Sequence, residues 1–284
     1  MKRIFIVIKS GSEYSRKEIQ MSGMDYDDAT AERLEAVYLG PDIVAQRADT
    51  LQRLAIQPGE YVLDIGSGPG FLASEIAEQA GQSGKVVGID ISRQMVERAA
   101  SRSDCGWLTY EVADATELPF KDACFDVVVS TQVAEYVPDI KKFCSEIFRV
   151  LRPGGRALIL ATDWDAVCWH SAFPERMERI LKAFAPHCAN SRLPRTLTAK
   201  LRAAGLELEE VSFFSILNVD RYEGCYAETT IPFISAYVRA QGTVPDEELI
   251  EWAQEQHELN ERGEHFYSSG RFSFLASKPL GESD

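Results

Sequence analysis

The sequence predicts an α/β fold in which a mostly parallel sheet carries helices on both faces. Three observations lead to this expectation. Short apolar runs alternate with amphipathic stretches from residue 61 to residue 161, the fourth run is apolar nearly throughout, and a glycine-rich turn follows the first. Such alternation builds parallel strands joined by crossover helices, and a strand buried on both faces loses its polar positions.

The elements follow in order. Leu34, Val37 and Tyr38 form an apolar stripe, and Gly40-Pro41 ends that helix and opens another, along which Ile43, Val44, Arg47, Ala48, Leu51 and Leu54 keep helical spacing. Tyr61–Ile65 is the first strand, with a helix through Leu72, Ile76 and Ala77 after the glycine turn. Lys85–Ile89 is the second, and Ser92 caps a helix bearing Met95, Val96 and Ala99. Leu108–Val112 and Phe125–Ser130 are the third and fourth. Asp139 caps a helix with Ile140, Phe143, Ile147 and Phe148 on one side, and Pro153-Gly154-Gly155 turns into a fifth strand, Ala157–Ala161. Beyond Thr162 come helices near 173–185 and 194–204, a strand around 206–214, a helical stretch with Leu249, Trp252, Ala253 and Leu259 on one face, and a last strand at 266–277.

Composition narrows the function classes. The 284 residues hold 30 Lys and Arg against 44 Asp and Glu, a net charge of −14, which opposes tight binding to phosphate backbones. With 45% hydrophobic and 26% charged residues the chain is an ordinary globular one. No apolar run approaches the roughly 20 residues that span a bilayer. The start, Met1-Lys2-Arg3 and then Ile4–Ile8, imitates a signal peptide, yet its apolar run of five falls short of the roughly 7–15 an h-region needs. Residues 1–24 therefore read as a leader, either an extra strand or disordered. The six cysteines never adopt C-x-x-C spacing, which fits free thiols in a reducing cytoplasm and gives no metal site.

The chemistry concentrates in Val62-Leu63-Asp64-Ile65-Gly66-Ser67-Gly68-Pro69-Gly70. Glycines at a strand-to-helix turn let a ligand approach the backbone. A dinucleotide fingerprint would need a third glycine at 71, where Phe71 stands. Asp64, two residues before Gly66, would repel a pyrophosphate and attract an ammonium group. Asp90 ends the second strand, suited to accept both hydroxyls of a ribose. Asp114, after the third strand, can accept from the exocyclic amine of adenine. Ammonium, ribose and adenine together describe S-adenosylmethionine (SAM) better than NAD.

On these residues the chain resembles the class I SAM-dependent methyltransferases, in the broad group that includes the ubiquinone and menaquinone biosynthesis methylases. The matching pieces are Leu63–Gly70, Val87–Ser92, Ala113–Phe120, Phe125–Tyr136 and Arg149–Gly155, covering residues 40–162. The resemblance implies a Rossmann-like seven-stranded sheet of order 3-2-1-4-5-7-6 with the last strand antiparallel, while the stretch from about Asn218 to Arg262, too long for a plain connection, reads as a helical lid. It implies that Asp64 and the loop Gly66, Ser67, Gly68 and Gly70 hold the methionine end, and Asp90 the ribose with Ile91 against adenine. Asp114 and Ala115 would read the base, Gln132 and Val133 would floor the sulfonium, and Tyr26 and Arg47 would reach the carboxylate. Residues 25–58 become helices over the cofactor, 59–215 and 263–284 the SAM-binding domain, and 216–262 an insert over the acceptor.

The segment Thr162–Ser171 packs two carboxylates, two indoles and a histidine into ten residues. Asp163 or His170 is a candidate base, with Tyr136 as a further candidate beside the acceptor. Trp164, Trp169, Tyr222 and Tyr226 are candidate walls, although aromatics at helical spacing commonly belong to a core. The expected activity is methyl transfer to oxygen or nitrogen of a small molecule by a monomer or homodimer. Methylation of nucleic acid such as tRNA, and SAM binding without catalysis, stand as alternatives. A thiol site at Cys168 and Cys225, as an arsenite methylase would need, is a weaker one.

Overall fold

The computed structural model describes residues 5–10, 13–18, 35–219 and 224–281. The first described strands, β1 (Phe5–Ser10) and β2 (Glu13–Glu18), pair antiparallel with each other. Helix α1 (Pro41–Leu54) then leads into the main sheet, with Gly40 before it and Pro41 as its first residue.

The sheet forms from β3 (Tyr61–Ile65), β4 (Lys85–Asp90), β5 (Leu108–Val112), β6 (Phe125–Thr131) and β7 (Leu151–Thr162), ordered β5-β4-β3-β6-β7 and all parallel. Their crossovers are α2 (Phe71–Ala80), α3 (Arg93–Arg102) and, from β6 to β7, α4 (Ile140–Val150). Ser92 Oγ accepts from Met95 N at 3.4 Å and Asp139 Oδ1 from Lys142 N at 3.0 Å, so both expected caps form.

Beyond β7 the sheet turns antiparallel. The last strand, β10 (Tyr267–Ser277), lies between β7 and β9 (Glu207–Asn218), antiparallel to both. The expected order 3-2-1-4-5-7-6 is present, with one addition. The two-residue β8 (Cys168–Trp169) continues the β7 side and pairs with Tyr267 and Ser268. Strand β9 also runs past its expected end at Phe214 to Asn218.

Side-chain alternation divides the core. Val127, Val129, Leu158 and Leu160 face α1 and α2, where Leu54, Leu72 and Ile76 pack. Val128 and Ile159 face α4 and α6 (Pro194–Ala203), against Phe143, Ile147, Leu197 and Leu201. All are essentially buried, and each contributes about 1.5–3 kcal/mol against exposure.

A third apolar cluster joins α5 (Pro174–Phe184) to the two helices inserted between β9 and β10, α7 (Tyr226–Gln241) and α8 (Asp246–Glu261). Polar contacts pin the insert: Asp42 Oδ2 accepts from Asn218 Nδ2 (3.1 Å) and Tyr226 N (2.7 Å), and Asn218 Oδ1 accepts from Ala227 N (3.0 Å). No described helix is long and apolar enough to cross a membrane.

Candidate active site

Three strand ends build the crevice. After β3 the chain crosses over β4, where Gly66 N and Ser67 N both donate to Ile89 O at 2.7 and 2.8 Å. Gly66, Gly68 and Gly70 have φ of +73°, +51° and +84°, which side chains with a β-carbon rarely adopt. Space also requires glycine: a β-carbon at Gly70 would stand 2.5 Å from Tyr110 Oη.

Asp90 is drawn across this loop. Its Oδ2 accepts from Gly68 N at 3.0 Å and its Oδ1 from Ser92 N at 2.8 Å, so each oxygen keeps a lone pair for another donor. Burial raises its pKa, and those N–H groups oppose the rise. Asp64 is 2% exposed, and burial followed by the Asp90 charge pushes its pKa up to about 7. Ile91 is half exposed beside Asp90, an open apolar platform. Asp114 Oδ1 accepts from Thr116 N (2.7 Å) and Oγ1 (2.8 Å) in a tight turn that presents the exposed carboxylate next to half-buried Ala115.

Gln132, at the end of β6, has φ +59° and accepts from Thr162 Oγ1 at 2.7 Å. Val133 packs on Gly66. These residues fit SAM: a buried carboxylate with no hydrogen bond offsetting its burial suits an ammonium, and a half-satisfied Asp90 suits a diol. The glycine backbone leaves room for the methionine chain.

The remaining expected residues divide. Arg47 is buried, with Nε donating to Glu75 at 3.1 Å and Nη1 to Tyr38 O at 2.5 Å, so its guanidinium ties α1 to α2. Tyr26 and Tyr222 lie outside the described residues. Asp163 is 5% exposed, and both its oxygens accept from Arg195, at 2.6 and 3.0 Å. That pairing leaves Asp163 committed as an anchor for α6, not placed as a free base. His170 is exposed beyond β8, with its backbone N–H on Phe266 O at 2.9 Å. Trp169 is buried among Trp252, His265 and Tyr267, and Tyr226 packs on Tyr267. The two therefore belong to the apolar cluster that α5 shares with α7 and α8.

Trp164 and Tyr136 do converge, on a residue that sequence reasoning passed over. His187 lies 4.6 Å from Trp164 and 5.7 Å from Tyr136 between ring centroids, stacks on Phe184 at 3.8 Å and meets Tyr237 at 6.2 Å. Its partners come from four separate segments, so no local pattern could reveal it. Glu135 was equally hidden: it is fully buried, accepts from Thr162 N at 3.2 Å, and burial pushes its pKa up to about 7. Tyr38, whose hydroxyl would stand 3.1 Å from a β-carbon on Gly68, is a further residue at the loop.

The fold is one that solved methyltransferases share, and the comparisons with known proteins follow from it. Residues 63–159 match the family model described as "Methyltransferase domain". The chain is 28% identical to an arsenite methyltransferase of Halobacterium salinarum over 81% of its own length and 59% of the relative's. It is 34% identical to a demethylmenaquinone methyltransferase of Oceanobacillus iheyensis over 41% of its length and 50% of the relative's. It thus spans about half the length of the curated relatives it matches. A phosphoethanolamine N-methyltransferase 2 of Haemonchus contortus, solved with SAM, shares the fold at a TM-score of 0.62 and 20% identity, over 94% of this chain and 62% of that one.

Proposed function

We propose that this protein is a cytoplasmic enzyme that transfers a methyl group from SAM to oxygen or nitrogen of a small-molecule acceptor. The observation that carries the reading is the pairing of buried Asp64 with loop-bound Asp90 around three left-handed glycines. Asp64 binds the ammonium, the loop N–H face and Tyr38 border the methionine chain, and Asp90 binds the ribose hydroxyls. Ile91 supports the adenine, and Asp114 with Ala115 reads its edge. Bound SAM supplies an electrophilic methyl group on a sulfonium.

The chain's own work is alignment. Gln132 is locked to Thr162, and Val133 to Gly66, so the floor of the crevice is stiff where the acceptor must approach in line with methyl carbon and sulfur. Such positioning is worth several kcal/mol of barrier. The acceptor enters beyond β6 and β7, under α5, α7 and α8, as ligands do beyond the carboxyl ends of parallel strands.

The free cysteines and the net charge of −14 support a cytoplasmic small-molecule enzyme over one acting on tRNA or DNA. The arsenite alternative draws no support from the thiols: Cys225 is buried and Cys168 exposed, and no metal-holding cluster of His, Cys, Asp or Glu forms among the described residues. Calorimetry with SAM, then a mass screen for products 14 Da heavier (about one CH₂ unit, the increment that also sets apolar transfer energies), tests the reading. Absence of SAM binding at millimolar concentration would overturn it.

A further inference from the structure

The two inserted helices enclose a cavity of about 50 Å³, lined from α7, α8 and the segment that enters β10. None of the residues placed around SAM lines it. Glu228, Gln256, Asn260 and His265 form its polar wall, and Ile231 and Ala253 supply apolar wall. Gln256 is 1% exposed and His265 6%.

These walls carry buried polar atoms without partners: Gln256 Oε1, Asn260 Oδ1 and both ring nitrogens of His265. Buried polar groups are almost always paired, so orphans on the walls of one cavity call for an occupant. Their chemistry defines it. Gln256 Nε2 donates to His170 O at 3.1 Å, and a carbonyl oxygen only accepts, so the amide is held with Oε1 as a free acceptor. Asn260 Oδ1 is a second acceptor. Burial, and then the neighbouring His170, lowers the His265 pKa, so at neutral pH the ring is neutral and offers one lone pair and one N–H. Glu228 Oε2 accepts from Gly224 N at 2.9 Å, and its carboxylate adds negative charge to the wall. At the rim, His257 Nε2 lies 3.5 Å from Glu261.

Acceptors therefore outnumber donors, and a carboxylate stands beside them. A hydroxyl donates one hydrogen bond and water two, whereas a primary ammonium donates three and brings a positive charge. One water-sized group needs about 10–15 Å³ of such space, so the cavity takes about three or four. A nitrogen with two carbons fits, the carbons lying against Ile231 and Ala253.

We propose that the cavity between α7 and α8 binds a short primary alkylammonium ion, whose N–H groups donate to Gln256 Oε1, Asn260 Oδ1 and a His265 nitrogen while its charge faces Glu228. The occupant joins α7, α8 and the entry to β10 in one network, so it is an effector that stiffens the insert, not a methyl acceptor. The site stands independently of the methyltransferase reading.

The test uses the full chain with ethylammonium chloride as probe, at neutral pH and constant ionic strength, with ethanol, tetramethylammonium and potassium as controls. A ligand of about three heavy atoms reaches millimolar affinity at best. Expected are a saturable rise in melting temperature with a millimolar midpoint, magnetisation transfer from the protein to the ethyl protons, and shifted side-chain amide signals of Gln256 and Asn260. Every control should bind at least tenfold weaker. Asn260→Leu and Glu228→Gln should each weaken ethylammonium about tenfold, with the circular dichroism of the parent retained. No saturable effect of ethylammonium, equal binding of ethanol (a cavity that holds water only), equal binding of tetramethylammonium or potassium, or indifference to both substitutions would overturn the site. Should both variants misfold, the amide signals of the parent decide, and unmoved signals sink the proposal. None of these outcomes bears on the methyltransferase reading, which SAM binding judges.

Discussion

Gly66 and Val133 touch so closely that a β-carbon on the glycine would stand 2.1 Å from Val133 Cγ2. The glycine loop and the floor of the crevice are therefore one packed unit, joined across β3 and β6. Gly66→Ala combines this clash with a left-handed φ of +73°, and backbone strain of this kind costs about 1–3 kcal/mol. Denaturant unfolding should register that loss, and calorimetry should find SAM at least tenfold weaker. Adding Val133→Ala should return part of both.

Asp64 should act in opposite directions on stability and binding. Its pKa is raised to about 7 from an ordinary 3.8, so the folded chain holds a proton that the unfolded chain releases between those values. The stability this gives is full below the unfolded pKa and is lost as pH rises through 7. Asp64→Asn should therefore make the ligand-free protein more heat-stable at pH 8, yet weaken SAM at least tenfold. Calorimetry at pH 6 in buffers of different ionisation heat should detect proton release on SAM binding in the parent and much less in the variant.

His187 imposes the reverse dependence. Its folded pKa of about 4 lies below the ordinary 6.5, so its contribution is intact above 6.5 and declines as pH falls toward 4. Over that interval the loss reaches up to about 3 kcal/mol. Melting curves from pH 7 to pH 4 should flatten on their acid side in His187→Phe, provided the aromatic stack with Phe184 survives.

Arg176 and Glu255 join α5 to α8 through a pair 2.8 Å apart in which both side chains are 9% exposed. Glu255 also accepts from Ser171 Oγ and from Ala172 N. Removing one partner of a buried pair strands the other, at a cost of about 3–5 kcal/mol. Arg176→Met should lower the melting temperature sharply. Arg176→Met with Glu255→Leu should recover much of it.

The sheet was readable because its signals are local. Strand runs such as Phe125–Ser130, caps such as Ser92 and Asp139, and the glycines after Asp64 each declare themselves within a few residues. The insert was less so. Pro232 stands inside α7, where proline normally ends a helix, and its presence obscures the periodicity from Tyr226 onward. The partners of Asp163 and Arg47 come from 32 and 28 residues away, so a sequence cannot tell a committed ion pair from a free catalytic group. Trp164 and Trp169 look equivalent in sequence. The 3₁₀ turn at Trp164–Ala166 sends the first toward His187 and the second into the apolar cluster of α5, α7 and α8.

Asn218 and Tyr267 are cross-strand neighbours in the β9–β10 ladder. The polypeptide thus leaves the β9–β10 ladder and rejoins it at the same rung, with α7 and α8 carried between two stems that touch. Under the proposed function, such wiring lets the acceptor side vary while the Asp64 and Asp90 side stays as it is.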